Sequence, residues 1–214
     1  EALLIKRAET THNICVNTKR AKLRLLHFSD IEQAMKMATI AYDEDCDESR
    51  TVLASVYISK WALDSTIANE DQREQLLRKG QALADNTYDL IIMLASSDYT
   101  EQALRKLKST GLNIDIADEK GLTPLAYAAI MNEQDVMKRL VNLGADPNRK
   151  LNEHGLTILM LSIVMGQYDS VKTLVALGAN VKTKASDGTT ALQLAKQSGR
   201  NDIVDILQNK NLSF

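Results

Sequence analysis

The sequence has no apolar run long enough to cross a bilayer. Its longest, Ile158 to Met165, is eight residues with Ser162 inside it, whereas a helical span needs roughly 20. Charge of one sign is not in excess either. Lys and Arg number 26 against 28 Asp and Glu, for a formal net charge of −2, so the concentrated basic footprint that broad nucleic-acid binding requires is missing. The sequence holds no H-E-x-x-H, paired C-x-x-C, P-loop or G-x-S-x-G, which leaves no motif for metal, redox, phosphate or hydrolase chemistry. His12, His27 and His154 have no partner at metal-ligand spacing. Asp43, Asp45 and Asp47 alternate like the start of a calcium loop, but its sixth and twelfth positions hold Glu48 and Ala54 instead of glycine and glutamate. No cofactor or metal is expected.

Cysteine is scarce, with Cys15 and Cys46 the two present. They lie 14 residues before Ser29 and 16 after Asp30, where a turn is predicted. If the flanking segments are antiparallel helices, the thiols sit at comparable distances from the bend. A bridge is then geometrically open and would suit an oxidising compartment; the alternative is two unrelated cysteines. The chain starts at Glu1, not methionine. With the cysteine pair, this favours a periplasmic or secreted location over a cytoplasmic one. Cys15 also stands three residues from His12, a thiol–base spacing that lacks the orienting third group a catalytic pair needs. The run Lys19, Arg20, Lys22 and Arg24 reads as the wet side of a helix.

Proline and glycine are rationed unevenly. Residues 1 to 85 contain no proline and only Gly80, and their apolar residues recur at helical spacing. Leu23, Leu26, Ile31, Ala34, Met35, Ala38 and Ala41 outline helices on either side of the turn, with Asp30 as an N-cap and Gln33 its capping-box partner. Val52, Leu53, Val56, Tyr57 and Trp61 outline a third helix, and Asp71 to Leu83 a fourth with Leu76, Leu77 and Leu83 on its buried side. This region, 1–85, is expected to form helical hairpins.

What the remainder has is periodic glycine. Eight of the nine glycines fall into series stepping by 33 or 34 residues: Gly111, Gly144, Gly178; Gly121, Gly155, Gly188; Gly166, Gly199. A period in this range marks a solenoid of one repeated supersecondary unit. Threonine recurs in step at Thr123, Thr157 and Thr190, where a hydroxyl can cap a starting helix. Pro124 stands at the first helical position, where its missing donor costs nothing.

These units read Asp118-Glu-Lys-Gly-Leu-Thr-Pro-Leu-Ala-Tyr-Ala-Ala129 to Gly144-Ala-Asp146; Asn152-Glu-His-Gly-Leu-Thr-Ile-Leu159 to Gly178-Ala-Asn180; and Asp187-Gly-Thr-Thr-Ala-Leu192 to Gly199. They closely resemble the ankyrin repeat, D-x-x-G-x-T-P-L-H-x-A-A through to G-A-D-x-N. A degenerate unit precedes them, its Leu104, Leu107 and Gly111 in register with Met137, Leu140 and Gly144. The expectation is an all-α ankyrin-repeat solenoid of about four units over 86–214, preceded by the helical region, which resembles tetratricopeptide or Sel1-like hairpins. The histidine after T-P-L is replaced by Ala126, Met160 and Gln193, so weaker hydrogen bonding between units is expected.

The resemblance implies a protein partner held by the turn tips and the exposed side of each first helix. Carried over position by position, that surface comprises Glu119, Lys120, Leu122, Ile130 and Met131 in one unit, His154, Leu156, Val164 and Met165 in the next, and Asp187 in the last. Six of these are apolar (Leu122, Ile130, Met131, Leu156, Val164, Met165), which points to a patch made to be covered; the alternatives are that the N-terminal helices fold back over it or that the register is off by one. The implied role is non-enzymatic: an inhibitor or immunity protein masking a toxic enzyme, as in a bacterial exported inhibitor. A secreted bacterial effector engaging host proteins fits equally, and the competing class is an enzyme with its site in the N-terminal helices, targeted by the array.

Overall fold

The computed structural model describes residues 30–43, 49–83, 87–96 and 98–208. These hold eleven helices and two isolated β-bridges. Cys15, Cys46, His12, His27 and the basic run at 19–24 lie outside the described residues. By packing, the chain divides into two compact units that meet between Leu112 and Asn113.

In the N-terminal unit the helices are α1 (Ile31–Asp43), α2 (Ser49–Leu63), α3 (Glu70–Leu83), α4 (Thr87–Ala95) and α5 (Asp98–Lys108). The Asp30 carboxylate accepts the Gln33 N–H at 3.0 Å, so the expected N-cap opens α1. Helix α2 is the hub. It packs against α1, α3, α4 and α5 and buries Val52, Leu53, Val56, Ile58 and Trp61, because a helix apolar on nearly every side must be covered on every side. Helix α3 lies close against it at Gly80, where a Cβ would lie 2.6 Å from Ile58 Cδ1 and 3.2 Å from the Ala54 carbonyl oxygen. Leu76, Leu77 and Leu83, expected on the buried side of α3, are half-buried. The α2–α3 turn is held by Arg73, whose guanidinium donates to the carbonyls of Ile67 (2.8 Å), Trp61 (3.2 Å) and Asp64 (2.8 Å).

Helices α4 and α5 form a pair with Leu104 and Leu107 buried, as their register with Met137 and Leu140 requires. They pack on α2 and so fall in the N-terminal unit. The change of sequence pattern at 85/86 and the division by packing at 112/113 are therefore different boundaries.

The second unit is a stack of three helix pairs: α6 (Pro124–Ile130) with α7 (Gln134–Asn142), α8 (Ile158–Val164) with α9 (Tyr168–Ala176), and α10 (Ala191–Gln197) with α11 (Asn201–Gln208). First helices pack in one row, α6 on α8 on α10, and second helices in another, α7 on α9 on α11. No pair could bury its apolar face alone, and stacking makes the core continuous through Leu125, Met137, Leu140, Leu159, Met160, Leu174 and Ile203. Thr123, Thr157 and Thr190 cap the first helices, accepting the N–H groups of Ala126 (3.2 Å), Met160 (3.3 Å) and Gln193 (3.3 Å).

The three positions where the histidine is missing are filled in different ways. Ala126 and Met160 are fully buried core residues, and the Gln193 side chain closes a capping box by accepting the Thr190 N–H at 2.8 Å. Other side chains join the units. Gln167 Nε2 donates to the Ile130 carbonyl (3.0 Å), Arg200 Nη1 to the Gly166 carbonyl (3.0 Å), and Asn148 Oδ1 accepts the Asn180 N–H (2.6 Å).

Candidate partner-binding surface

Each first helix is preceded by a finger-like loop whose shape is set by one acidic or amide side chain. Asp118 Oδ1 accepts the N–H groups of Lys120 (2.9 Å) and Leu122 (2.8 Å), Asn152 Oδ1 that of Leu156 (3.1 Å), and Asp187 Oδ1 that of Thr189 (2.8 Å). Antiparallel bridges Lys150–Thr157 and Lys184–Thr190 close the second and third fingers. Those two fingers are also tied to each other, since Ser186 donates its N–H to the His154 carbonyl at 2.8 Å and its hydroxyl to the Glu153 carbonyl at 3.0 Å.

This scaffold holds Glu119, Lys120, His154 and Asp187 outward at the finger tips, all exposed. Leu122 and Leu156 sit lower on the fingers and are half-buried. At the other end of the first helices, Met131 is 65% exposed, Val164 59% and Met165 52%, while Ile130 is half-buried. Met131 and Met165 are the C-caps of α6 and α8, their N–H groups bonded to the Tyr127 and Leu161 carbonyls at 2.9 Å each. The two side chains thus occupy one position in adjacent units.

His154, Leu156 and Asp187 line a groove of about 790 Å³ together with Met160, Leu194 and Gln197, so finger and helix residues share one concavity. Leu122, Ile130, Met131, Val164 and Met165 are not among its lining. The Asp187 carboxyl is held below its ordinary value of 3.8, chiefly by the Thr189 backbone N–H, then by the Thr189 hydroxyl, with the His154 charge adding to them. The tip of the third finger therefore keeps its negative charge into mild acid.

Sequence reasoning missed Tyr127 and Tyr168, exposed at 37% and 38%. Tyr127 stands one turn before Met131 on α6, at the same offset that puts half-buried Leu161 before Met165. Tyrosine at a helix position held by half-buried leucine in the other two units, Leu161 and Leu194, gives no local signal; only the row of first helices shows which side is left open. Third-unit counterparts Gln197 and Ser198 are polar and exposed, so the apolar character is confined to the first two units of the stack. Among the described residues no group of His, Cys, Asp and Glu could hold a metal ion, and no helix is long and apolar enough to cross a membrane.

A family model for ankyrin repeats, in three copies, matches residues 68–150, 92–185 and 149–213, together more than half of the chain.

Proposed function

The chain belongs to the ankyrin-repeat family and is a protein–protein interaction module, and we propose that it captures another polypeptide on the surface formed by the finger tips and the exposed ends of α6 and α8. The observation that carries this reading is the exposure of Met131 and Met165 at matched positions of neighbouring units, with Val164 exposed beside Met165. Scattered single apolar residues are ordinary on a protein surface, but exposed apolar residues that recur in register in adjacent units are a place where association removes unfavourable hydration. Full burial of side chains of this size contributes on the order of 1.5–3 kcal/mol each, and methionine adapts its unbranched chain to a partner's contour. Glu119, Lys120, His154 and Asp187 add exposed polar groups at the finger tips, the opposite end of the first helices.

Covering a partner is a stoichiometric act that involves no bond-making. Masking another protein's working surface, as an inhibitor or immunity protein does, is the role to which this arrangement is best suited. The test is affinity capture from the source lysate with immobilised wild-type protein and with the Met131→Asp/Met165→Asp variant, partners being identified by mass spectrometry. A stoichiometric partner held by the wild type and lost by the variant is the expected result. Equal capture by both would remove the surface assignment.

A further inference from the structure

The sequence has seven methionines, and their surroundings sort them sharply. Met137 and Met160 are fully buried, Met37 and Met93 are 5% exposed, and Met35 is half-buried. Met131 and Met165 alone among them are more than half exposed, at 65% and 52%, and they hold the same C-cap position in adjacent units. We infer that Met131 and Met165 form a paired site of reversible oxidation by peroxides, which converts the apolar end of this surface into a polar one.

The chemistry needs only access and an oxidant of the hydroperoxide class. A sulfur lone pair attacks one peroxide oxygen, the O–O bond breaks, and the departing oxygen takes up the proton and leaves as an alcohol, or as water when the oxidant is hydrogen peroxide. With hydrogen peroxide, the thioether loses two electrons to become a sulfoxide and one water is released. Reaction rate follows exposure, so the two C-cap methionines react ahead of the buried ones. The product has a strong S–O dipole where the surface had a thioether, and a methionine sulfoxide reductase returns it to the starting state.

The position of the pair makes the change local. Both residues lie just past the ends of α6 and α8, anchored by backbone hydrogen bonds that the side chain does not make. Their side chains are outside the core that holds the stack together. Oxidation therefore alters the surface and leaves the helices in place. Site selectivity rests on exposure alone; the consequence for capture rests on the binding surface proposed above.

The experiment treats the full chain with hydrogen peroxide and maps sulfoxide by peptide mass spectrometry over time, alongside circular dichroism and hydrophobic-interaction chromatography. The expected result is sulfoxide at Met131 and Met165 while Met137 and Met160 remain thioethers, with column retention reduced and helicity unchanged; sulfoxide reductases should restore both the thioethers and the retention. The Met131→Leu/Met165→Leu variant, checked for wild-type helicity, should keep its retention under the same treatment; single leucine variants, each removing half of the shift, serve if the double variant folds poorly. Equal rates at exposed and buried methionines, loss of helicity together with sulfoxide, or unchanged retention after oxidation at both sites would each overturn the inference. Failure to capture any partner would count against the proposed function and leave these readouts standing.

Discussion

The Ser170 hydroxyl, at the start of α9, donates a 2.7 Å hydrogen bond to the Ala129 carbonyl near the end of α6 in the preceding unit. Ser170 is fully buried and also contacts the Asn132 side chain at 3.0 Å. One side chain thus satisfies polar groups of the neighbouring unit at a place where water does not reach.

Ser170→Ala is expected to cost about 1–2 kcal/mol, because a buried acceptor loses its best donor. Urea denaturation followed by circular dichroism should show a lower midpoint with an unchanged slope. A midpoint equal to the wild type would mean that the inter-unit bond contributes nothing net.

Met131→Asp/Met165→Asp is expected to melt within about 0.5 kcal/mol of the wild type, since both side chains already face solvent. Met137→Asp, at a fully buried position on α7, is expected to unfold the stack, because a carboxylate there has neither water nor a partner. Thermal melts of the two variants side by side check the distinction. Similar melting of both would show that the exposed pair has a structural role.

Two finger glycines at matched positions should differ in their tolerance of alanine. A Cβ on Gly121 would run into the Leu151 carbonyl oxygen of the next finger, and the residue has φ +78°. Gly188, at φ +84°, has nothing within 4 Å of such a Cβ. Gly188→Ala is expected to cost about 1–2 kcal/mol from backbone strain alone, and Gly121→Ala clearly more, because the backbone of another finger must move as well. Denaturant midpoints decide this, and equal losses would contradict it.

Asp187 links the third finger to pH. Its carboxyl is held below its ordinary value by the Thr189 backbone N–H and hydroxyl, so the folded state binds that proton less readily than the unfolded chain. The stabilising contribution is therefore complete above the unfolded value and is lost as pH falls through the lower, folded one. Asp187→Ala should narrow the drop in melting temperature that the wild type shows on acidification from about pH 6 to about pH 3. An identical acid dependence in the two proteins would show that the finger bond does not couple to folding.

Much of the stack was legible from local chemistry. Threonine at 123, 157 and 190 reads as an N-cap because the hydroxyl acts within one turn, and each does cap its helix. The glycine series reads as positive φ for the same local reason, and all eight members have it. The third series lacks a glycine in the first unit, yet its position is filled by Asn132 at φ 60°; asparagine tolerates that conformation, so the signal was there in a different residue type. Gln193 departs from the repeat pattern and completes a cap. What local pattern could not give was the role of Gly80, which depends on Ile58 and Ala54 of a different helix.

The sequence alone determined that the chain is helical, where the tandem helices start and stop, and that they repeat, because caps, turns and apolar periodicity act over a few bonds. Only the tertiary structure decided which apolar residues stay uncovered. Leu125 and Met131 are equally apolar in the sequence, yet one is fully buried and the other is 65% exposed. Burial is a property of what packs opposite, and the row of neighbouring helices that covers the one side chain ends before it reaches the other.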